Sequence, residues 1–240
     1  MVVTVAQREV DPRQRERNVL VNAVRFVLWV FFRVFYRVRW RYPERVPMAG
    51  PVILAPTHAS FYDPPMVGIP LRRRLYFFTR DIYLESPLLG PLIRVLRAFP
   101  ANLSVRFDRK AYEQACRVLN EGGLLVLFPE GTRTCDGLLG KIQSGVAALA
   151  VETGATIVPV SICGAFEVWP RTRSFPRFCR LIAIKYHRPI RLEPISDRQT
   201  RREKAAEVSA QLERILAPRL RAWRRLQEKR AAQGQRAAGR

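Results

Sequence analysis

The run Leu124-Leu125-Val126-Leu127-Phe128 is short and wholly apolar, and stops abruptly at Pro129-Glu130-Gly131. Such a run predicts a strand buried on both faces, the pattern of a parallel sheet. A second strand is expected at Leu181-Ile182-Ala183-Ile184-Lys185-Tyr186, with His187 at its end. Between and after these runs the period changes to that of helices. Asp108 predicts a cap for a helix carrying Ala111, Tyr112, Ala115, Val118 and Leu119 and ending at Gly122-Gly123. Residues 144–153 form another helical pattern, closed by Gly154. Residues 197–229 read as a basic helix, and 230–240, rich in Ala, Gln, Gly and Arg, as a disordered tail. The alternation predicts an α/β fold: one domain with a mixed or mostly parallel sheet flanked by helices.

Residues 18–40 form the long apolar stretch. It has the length of a bilayer span, but Asn18, Asn22, Arg25, Trp29, Arg33, Tyr36, Arg37 and Trp40 fall on one stripe at 100° per residue. The rest of the surface is Leu, Val and Phe almost throughout. Arg25 and Arg33 at mid-bilayer would each cost about 2.5–3.5 kcal/mol. Lying in the interface, the same helix immerses its apolar face and leaves the arginines with lipid phosphates. A monotopic or peripheral anchor is therefore expected over a single span, the alternative being a core helix of the domain with a polar outer stripe. The polar arm before it has mixed charge, and no small-residue cleavage site follows, unlike a signal peptide.

Forty-two Lys and Arg against 20 Asp and Glu give a formal charge of +22. That charge attracts anionic lipid, acidic carriers or nucleic acid without choosing among them. No nucleic-acid-binding motif accompanies it, and no specific nucleic-acid partner is expected. Cys116, Cys135, Cys163 and Cys179 lack C-x-x-C spacing and neighbouring histidines, which argues for reduced thiols over a zinc site or disulfide framework.

Two segments carry candidate chemistry. In Thr57-His58-Ala59-Ser60-Phe61-Tyr62-Asp63-Pro64, after the apolar Val52-Ile53-Leu54, an imidazole and a carboxylate stand five positions apart. His58 is suited to take a proton near neutral pH, and Asp63 to fix its tautomer and stabilise the charged ring. Such a base activates a hydroxyl on the substrate and needs no nucleophilic Ser or Cys. The alternative is that Asp63-Pro64 simply starts a helix. The second segment, Pro129-Glu130-Gly131-Thr132-Arg133-Thr134, follows the predicted buried strand, where α/β folds place ligands. Gly131 permits close backbone approach, Thr132 offers a hydroxyl, and Arg133 can grip a phosphate bidentately.

Taken together, THASFYDP, FPEGTRT about seventy residues on, and Thr156-Ile157-Val158-Pro159-Val160-Ser161-Ile162 resemble the glycerolipid acyltransferase family, which includes 1-acylglycerol-3-phosphate acyltransferases. The resemblance spans roughly residues 43–195. It implies transfer of a fatty acyl group from a thioester to a hydroxyl of a lysophospholipid. The donor would be acyl-CoA or an acyl carrier protein, the other partner an anionic membrane surface at its cytoplasmic face, with no resident cofactor or metal. Carried over, His58 is the general base and Asp63 its partner, while Glu130, Gly131, Thr132 and Arg133 form the acceptor's phosphate site. A carboxylate facing phosphate would repel it, so Glu130 is read as positioning Arg133 or a loop amide.

Pro159 falls on the fourth block of the family pattern, where a structural role fits as well as a binding one. Thr57 stands where Asn is usual and Thr134 where Ser is usual. The second block's arginine is displaced: Phe99-Pro100-Ala101-Asn102 is followed by Leu103, and Arg106 is the candidate to reach the same anion. The implied organisation is an N-terminal arm and anchoring helix (1–42), an acyltransferase domain (43–229) and the tail (230–240). The rival readings are a silent membrane-surface scaffold with the same fold and, less well supported, a nucleic-acid binder.

Overall fold

The computed structural model describes residues 18–79, 98–100, 108–178 and 180–238. Among these residues seven strands form one sheet: β1 (Arg39–Arg41), β2 (Val52–Pro56), β3 (Leu75–Thr79), β4 (Ala98–Pro100), β5 (Leu124–Val126), β6 (Thr156–Cys163) and β7 (Ala183–Tyr186), in the order β1-β7-β6-β2-β5-β3-β4. Pairing is parallel from β6 through β2, β5 and β3 to β4, whereas β7 runs antiparallel to β6 and β1 parallel to β7. The sheet is thus mixed and mostly parallel, as the apolar runs predict.

Among the described residues six α-helices flank it: α1 (Val19–Tyr36), α2 (Asp63–Gly68), α3 (Arg109–Asn120), α4 (Gly145–Thr153), α5 (Ala165–Val168) and α6 (Arg198–Ala238). Side chains alternate across the sheet with the strand period of two. Val52 and Leu54 on β2 pack on one face with Phe32 and Tyr36 of α1 and Met66 and Val67 of α2. Ile53 and Ala55 pack on the other face with Ala115 and Leu119 of α3, Ala147 and Ala150 of α4, and Val208 and Leu212 of α6. Asp108 caps α3 by accepting from the Ala111 amide at 3.1 Å, and Gly154 closes α4 in the left-handed region at φ 65°.

Across the expected boundary at residue 42, Phe32 and Tyr36 of α1 join the core and β1 extends the sheet. Two expectations are corrected by the packing. The stripe on α1 does not all face lipid phosphate. Tyr36 is fully buried, and the Arg25 guanidinium donates to the Ile69 carbonyl at 3.0 Å. The stripe borders the docked face, so part of it turns to the protein body. The exposed surface carries the apolar residues Val19, Phe26, Val27, Val30 and Val34 together with Asn22, Trp29, Arg33 and Arg37 of the stripe. The α1 helix has mean hydropathy 1.7 and is long and apolar enough to cross a membrane by length and composition. Lastly, α6 continues through the predicted tail to Ala238. Ala, Gln and Arg are good helix formers, and they extend a helix already nucleated by its docked first half.

At the end of the sheet where β2 and β5 begin, buried Arg73 donates to the carbonyls of Pro47, Gly50 and Gly122 at 2.6, 2.9 and 2.6 Å. It ties together loops that meet only in the fold. The Cys116, Cys135 and Cys163 thiols are unpaired.

His187 follows β7 and shares a 2.8 Å hydrogen bond with the buried Ser161 hydroxyl of β6. Burial, reinforced by Lys185, Arg219 and Arg45, pushes its pKa down to about 4. Because the folded value lies below the unfolded one, the fold binds this proton less well. Stability should be intact above the unfolded value of 6.5 and decline as pH falls towards about 4. His187→Gln should flatten this part of the profile in denaturant melts across that window. An unchanged slope would place the acid sensitivity elsewhere.

Candidate active site

The site is built on neighbouring parallel strands. Register pairs Val52 with Leu124 and Leu54 with Val126, so β2 and β5 end side by side. The His58 and Glu130 loops therefore emerge together at the carboxyl end of the sheet, where open α/β folds bind ligands. Thr57 fixes the first loop from the other side. Its hydroxyl accepts from the Ile162 amide at 2.9 Å, and its own amide donates to the Val160 carbonyl at 3.0 Å. Pro159 lies within β6, opposite Ala55 of β2.

Asp63 does open a helix, with prolines in its first turn, but its carboxylate turns back along the chain. Oδ2 lies 2.9 Å from His58 Nδ1 and accepts from the Ala59 and Ser60 amides at 2.6 and 2.7 Å. Asp63 is fully buried, while the His58 side chain is 17% exposed. The helix does start here, but with Tyr62 rather than Asp63 at the N-cap position, and the Asp63 side chain caps no helix amide. An ionised carboxylate only accepts, so a neutral His58 carries its proton on Nδ1 and its lone pair on Nε2. The imidazole face stacks on Phe128, the last residue of the apolar run, at 3.9 Å and 23°.

Glu130 lies underneath. One carboxylate oxygen accepts from the His58 amide at 2.8 Å, the other from the Gly140 amide at 2.7 Å. Burial pushes its pKa up, and these two amides oppose that rise. A Cβ at Gly140 would stand 2.9 Å from Glu130 Oε2, so a larger residue there would displace this carboxylate. Gly131 turns the loop at φ 68°, a conformation that disfavours other residues. The Thr134 amide donates to the His58 carbonyl at 2.8 Å. His58 is thereby held through its amide, its carbonyl, Nδ1 and its ring face.

Arg133 lies over the Phe61 ring, its guanidinium carbon 3.5 Å from the centroid. Phe61 in turn packs on Trp169 at 4.8 Å. Thr132 and Gly131 are exposed beside it. The structure thus gathers His58, Asp63, Glu130, Gly131, Thr132 and Arg133 at one place, whereas Arg106 lies outside the described residues. Sequence reasoning missed the supporting contacts of Phe61, Phe128, Trp169 and Gly140. Phe61 and Phe128 sit inside the two motifs and were there to be noticed, but no local signal marks Trp169 or Gly140.

Glu130→Gln tests this support directly. An amide can accept from one of the two facing N–H groups but presents its own donor to the other. Leaving a buried donor unmet costs about 1–3 kcal/mol, and denaturant melts should show a loss of that size. No loss would mean that the two amides find other partners.

A match to the Acyltransferase family covers residues 37–163. The 1-acyl-sn-glycerol-3-phosphate acyltransferase of Pseudomonas aeruginosa is 31% identical over 171 residues, 66% of this chain and 62% of its own length. The chloroplastic 1-acyl-sn-glycerol-3-phosphate acyltransferase of Arabidopsis thaliana is 25% identical over 147 residues, 60% of this chain and 41% of its own. The chain thus spans less than two thirds of the length of these relatives. The crystal structure of the 1-acyl-sn-glycerophosphate acyltransferase PlsC from Thermotoga maritima shares the fold. It superposes with a TM-score of 0.62 at 24% identity, covering 82% of this chain and 78% of that one. The His58–Asp63 pair, the Glu130 loop and most of the parallel sheet lie inside the family match, which takes in more than half of the 240 residues, and the chain belongs to the Acyltransferase family.

Proposed function

We propose that this chain transfers a fatty acyl group from an acyl thioester to the free hydroxyl of a lysophospholipid, 1-acylglycerol-3-phosphate in particular, giving phosphatidate. The observation that carries the reading is the His58–Asp63 contact of 2.9 Å beside an arginine-bearing loop at the strand ends. The base can remove a proton, and the arginine can grip an anion. A phosphorylated alcohol offers both.

In the proposed reaction His58 Nε2 takes the proton of the acceptor hydroxyl as its oxygen attacks the thioester carbonyl. Asp63 stabilises the resulting imidazolium. The carbon–sulfur bond then breaks, and the departing sulfur takes the proton back from Nε2. Arg133, flattened on Phe61, presents its donors to the phosphate and sets the distance between hydroxyl and base. Glu130 holds the His58 amide in place and is not itself a phosphate ligand. Acyl-CoA and an acyl carrier protein are both acidic donors that suit the +22 charge.

The exposed apolar face of α1 supports a location in the membrane interface, where such acceptors reside. The basic surface favours an anionic cytoplasmic leaflet.

Thiol release from each donor, measured in liposomes containing lysophosphatidate, tests the reading. His58→Ala should lower turnover about 10²- to 10⁴-fold, the contribution of a positioned base. Near wild-type release by a folded His58→Ala protein would refute that role. Arg133→Ala should act mainly on the acceptor's KM, raising it roughly 10- to 100-fold for a lost charge-assisted contact. An effect on kcat alone would instead argue that Arg133 stabilises the transition state.

A further inference from the structure

Residues 169–178 form a loop after α5 that the proposed chemistry leaves unused. Its ends are pinned: the Arg177 amide donates to the Val168 carbonyl at 2.9 Å, and the Trp169 indole N–H to the Arg173 carbonyl at 3.0 Å. The Arg173 amide also bonds the Pro170 carbonyl at 3.2 Å. This closed loop nevertheless carries two aromatic side chains in solvent, Phe175 at 80% and Phe178 at 54% exposure. A loop that merely connected two elements would have no physical reason to hold such rings out of the core.

Their placement supplies the reason. Phe178 packs edge-on against Phe35 of α1 at 5.9 Å and stacks on Tyr36 at 5.7 Å. Phe35, Val34, Val30, Val27 and Phe26 are among the exposed apolar residues of α1. The loop thus prolongs the apolar face of α1 from an element more than 130 residues away in sequence. Exposed arginines accompany these rings in the chain: Arg171, Arg173 and Arg177 on the loop, with Arg33 and Arg37 at the end of α1. Aromatic rings set among guanidinium groups match an anionic lipid surface, acyl chains taking the rings and phosphates the charges.

We infer that the 169–178 loop is a second membrane contact, with Phe175 inserting beside α1 into an anionic bilayer. This rests on the membrane-bound reading of α1 and extends it. One helix in an interface can roll about its axis, whereas a helix and a separate loop fix a plane. Trp169, at the base of the loop, touches Phe61 at 4.8 Å and Tyr62 at 4.9 Å. The same contact therefore orients the Arg133–Phe61 face of the site towards the lipid surface that delivers the acceptor.

Co-sedimentation of the full chain with vesicles tests the inference, using pure phosphatidylcholine or its mixture with phosphatidylglycerol. Phe175→Ser, at an exposed tip and outside the catalytic groups, should lower partitioning into the mixture roughly three- to tenfold, the effect of withdrawing one ring. Arg173→Gln with Arg177→Gln should weaken binding to the mixture by on the order of fivefold per charge and leave pure phosphatidylcholine binding unaltered. Val27→Asp on α1 is the reference. If Val27→Asp abolishes binding while Phe175→Ser retains it in full, the loop inference falls and the α1 reading stands. If the wild-type chain binds neither vesicle, both fall. If Phe175→Ser instead dissolves a dimer seen in sedimentation velocity, with vesicle binding unchanged, the loop contacts a second copy and the inference is overturned.

Discussion

The carboxylate of Glu130 is the point on which the site's geometry turns. It is buried, raised in pKa by that burial, and satisfied by two amides from loops at different strand ends. Carboxylate-to-amide bonds are charge-assisted and worth about 1.5–3 kcal/mol each, enough to fix two short loops that have little core of their own. Its hold on the His58 amide matters most. Together with Thr134 on the His58 carbonyl, Asp63 on Nδ1 and Phe128 against the ring, it leaves the imidazole little freedom except to face outward. A base whose tautomer and direction are set before substrate arrives requires little reorganisation when the proton moves.

The sheet makes this arrangement possible. Parallel neighbours β2, β5 and β6 bring their carboxyl ends to one rim, and each contributes one part: His58 after β2, Glu130 and Arg133 after β5, and the Ile162 amide within β6 that holds Thr57. The opposite rim has a structural counterpart in Arg73, whose guanidinium joins three loop carbonyls. Stability and chemistry are thus handled at opposite ends of the same strands.

On one face of the sheet, α1 has two tasks. Its inner side, through Phe32 and Tyr36, completes the core, while its outer side keeps Val19, Phe26, Val27 and Val34 in contact with the surroundings. Because one helix serves both, whatever covers its outer face is rigidly coupled to the sheet and the site.

By itself the sequence indicated the elements and the residues that could carry chemistry. The Leu124-Leu125-Val126 run has the pattern of a buried strand, Asp108 that of a helix cap, and the H-x-x-x-x-D and PEGTR segments mark a candidate base and a candidate anion site. These are local: a few consecutive residues suffice to fix period, cap and reactive groups. Tertiary structure decided which partners each group meets. Nothing near Glu130 in the chain says that its oxygens take the amides of His58 and Gly140, or that Arg133 rests on Phe61. Nor did the helical wheel of α1 reveal that Arg25 and Tyr36 turn inward, because periodicity marks where polarity changes and not which border the body covers. The extension of α6 to Ala238 belongs here too, since its docked half supplies the nucleation that composition alone leaves uncertain. Contacts between residues 70 or 100 apart follow from strand order, and strand order is settled by burying both faces of the whole sheet at once.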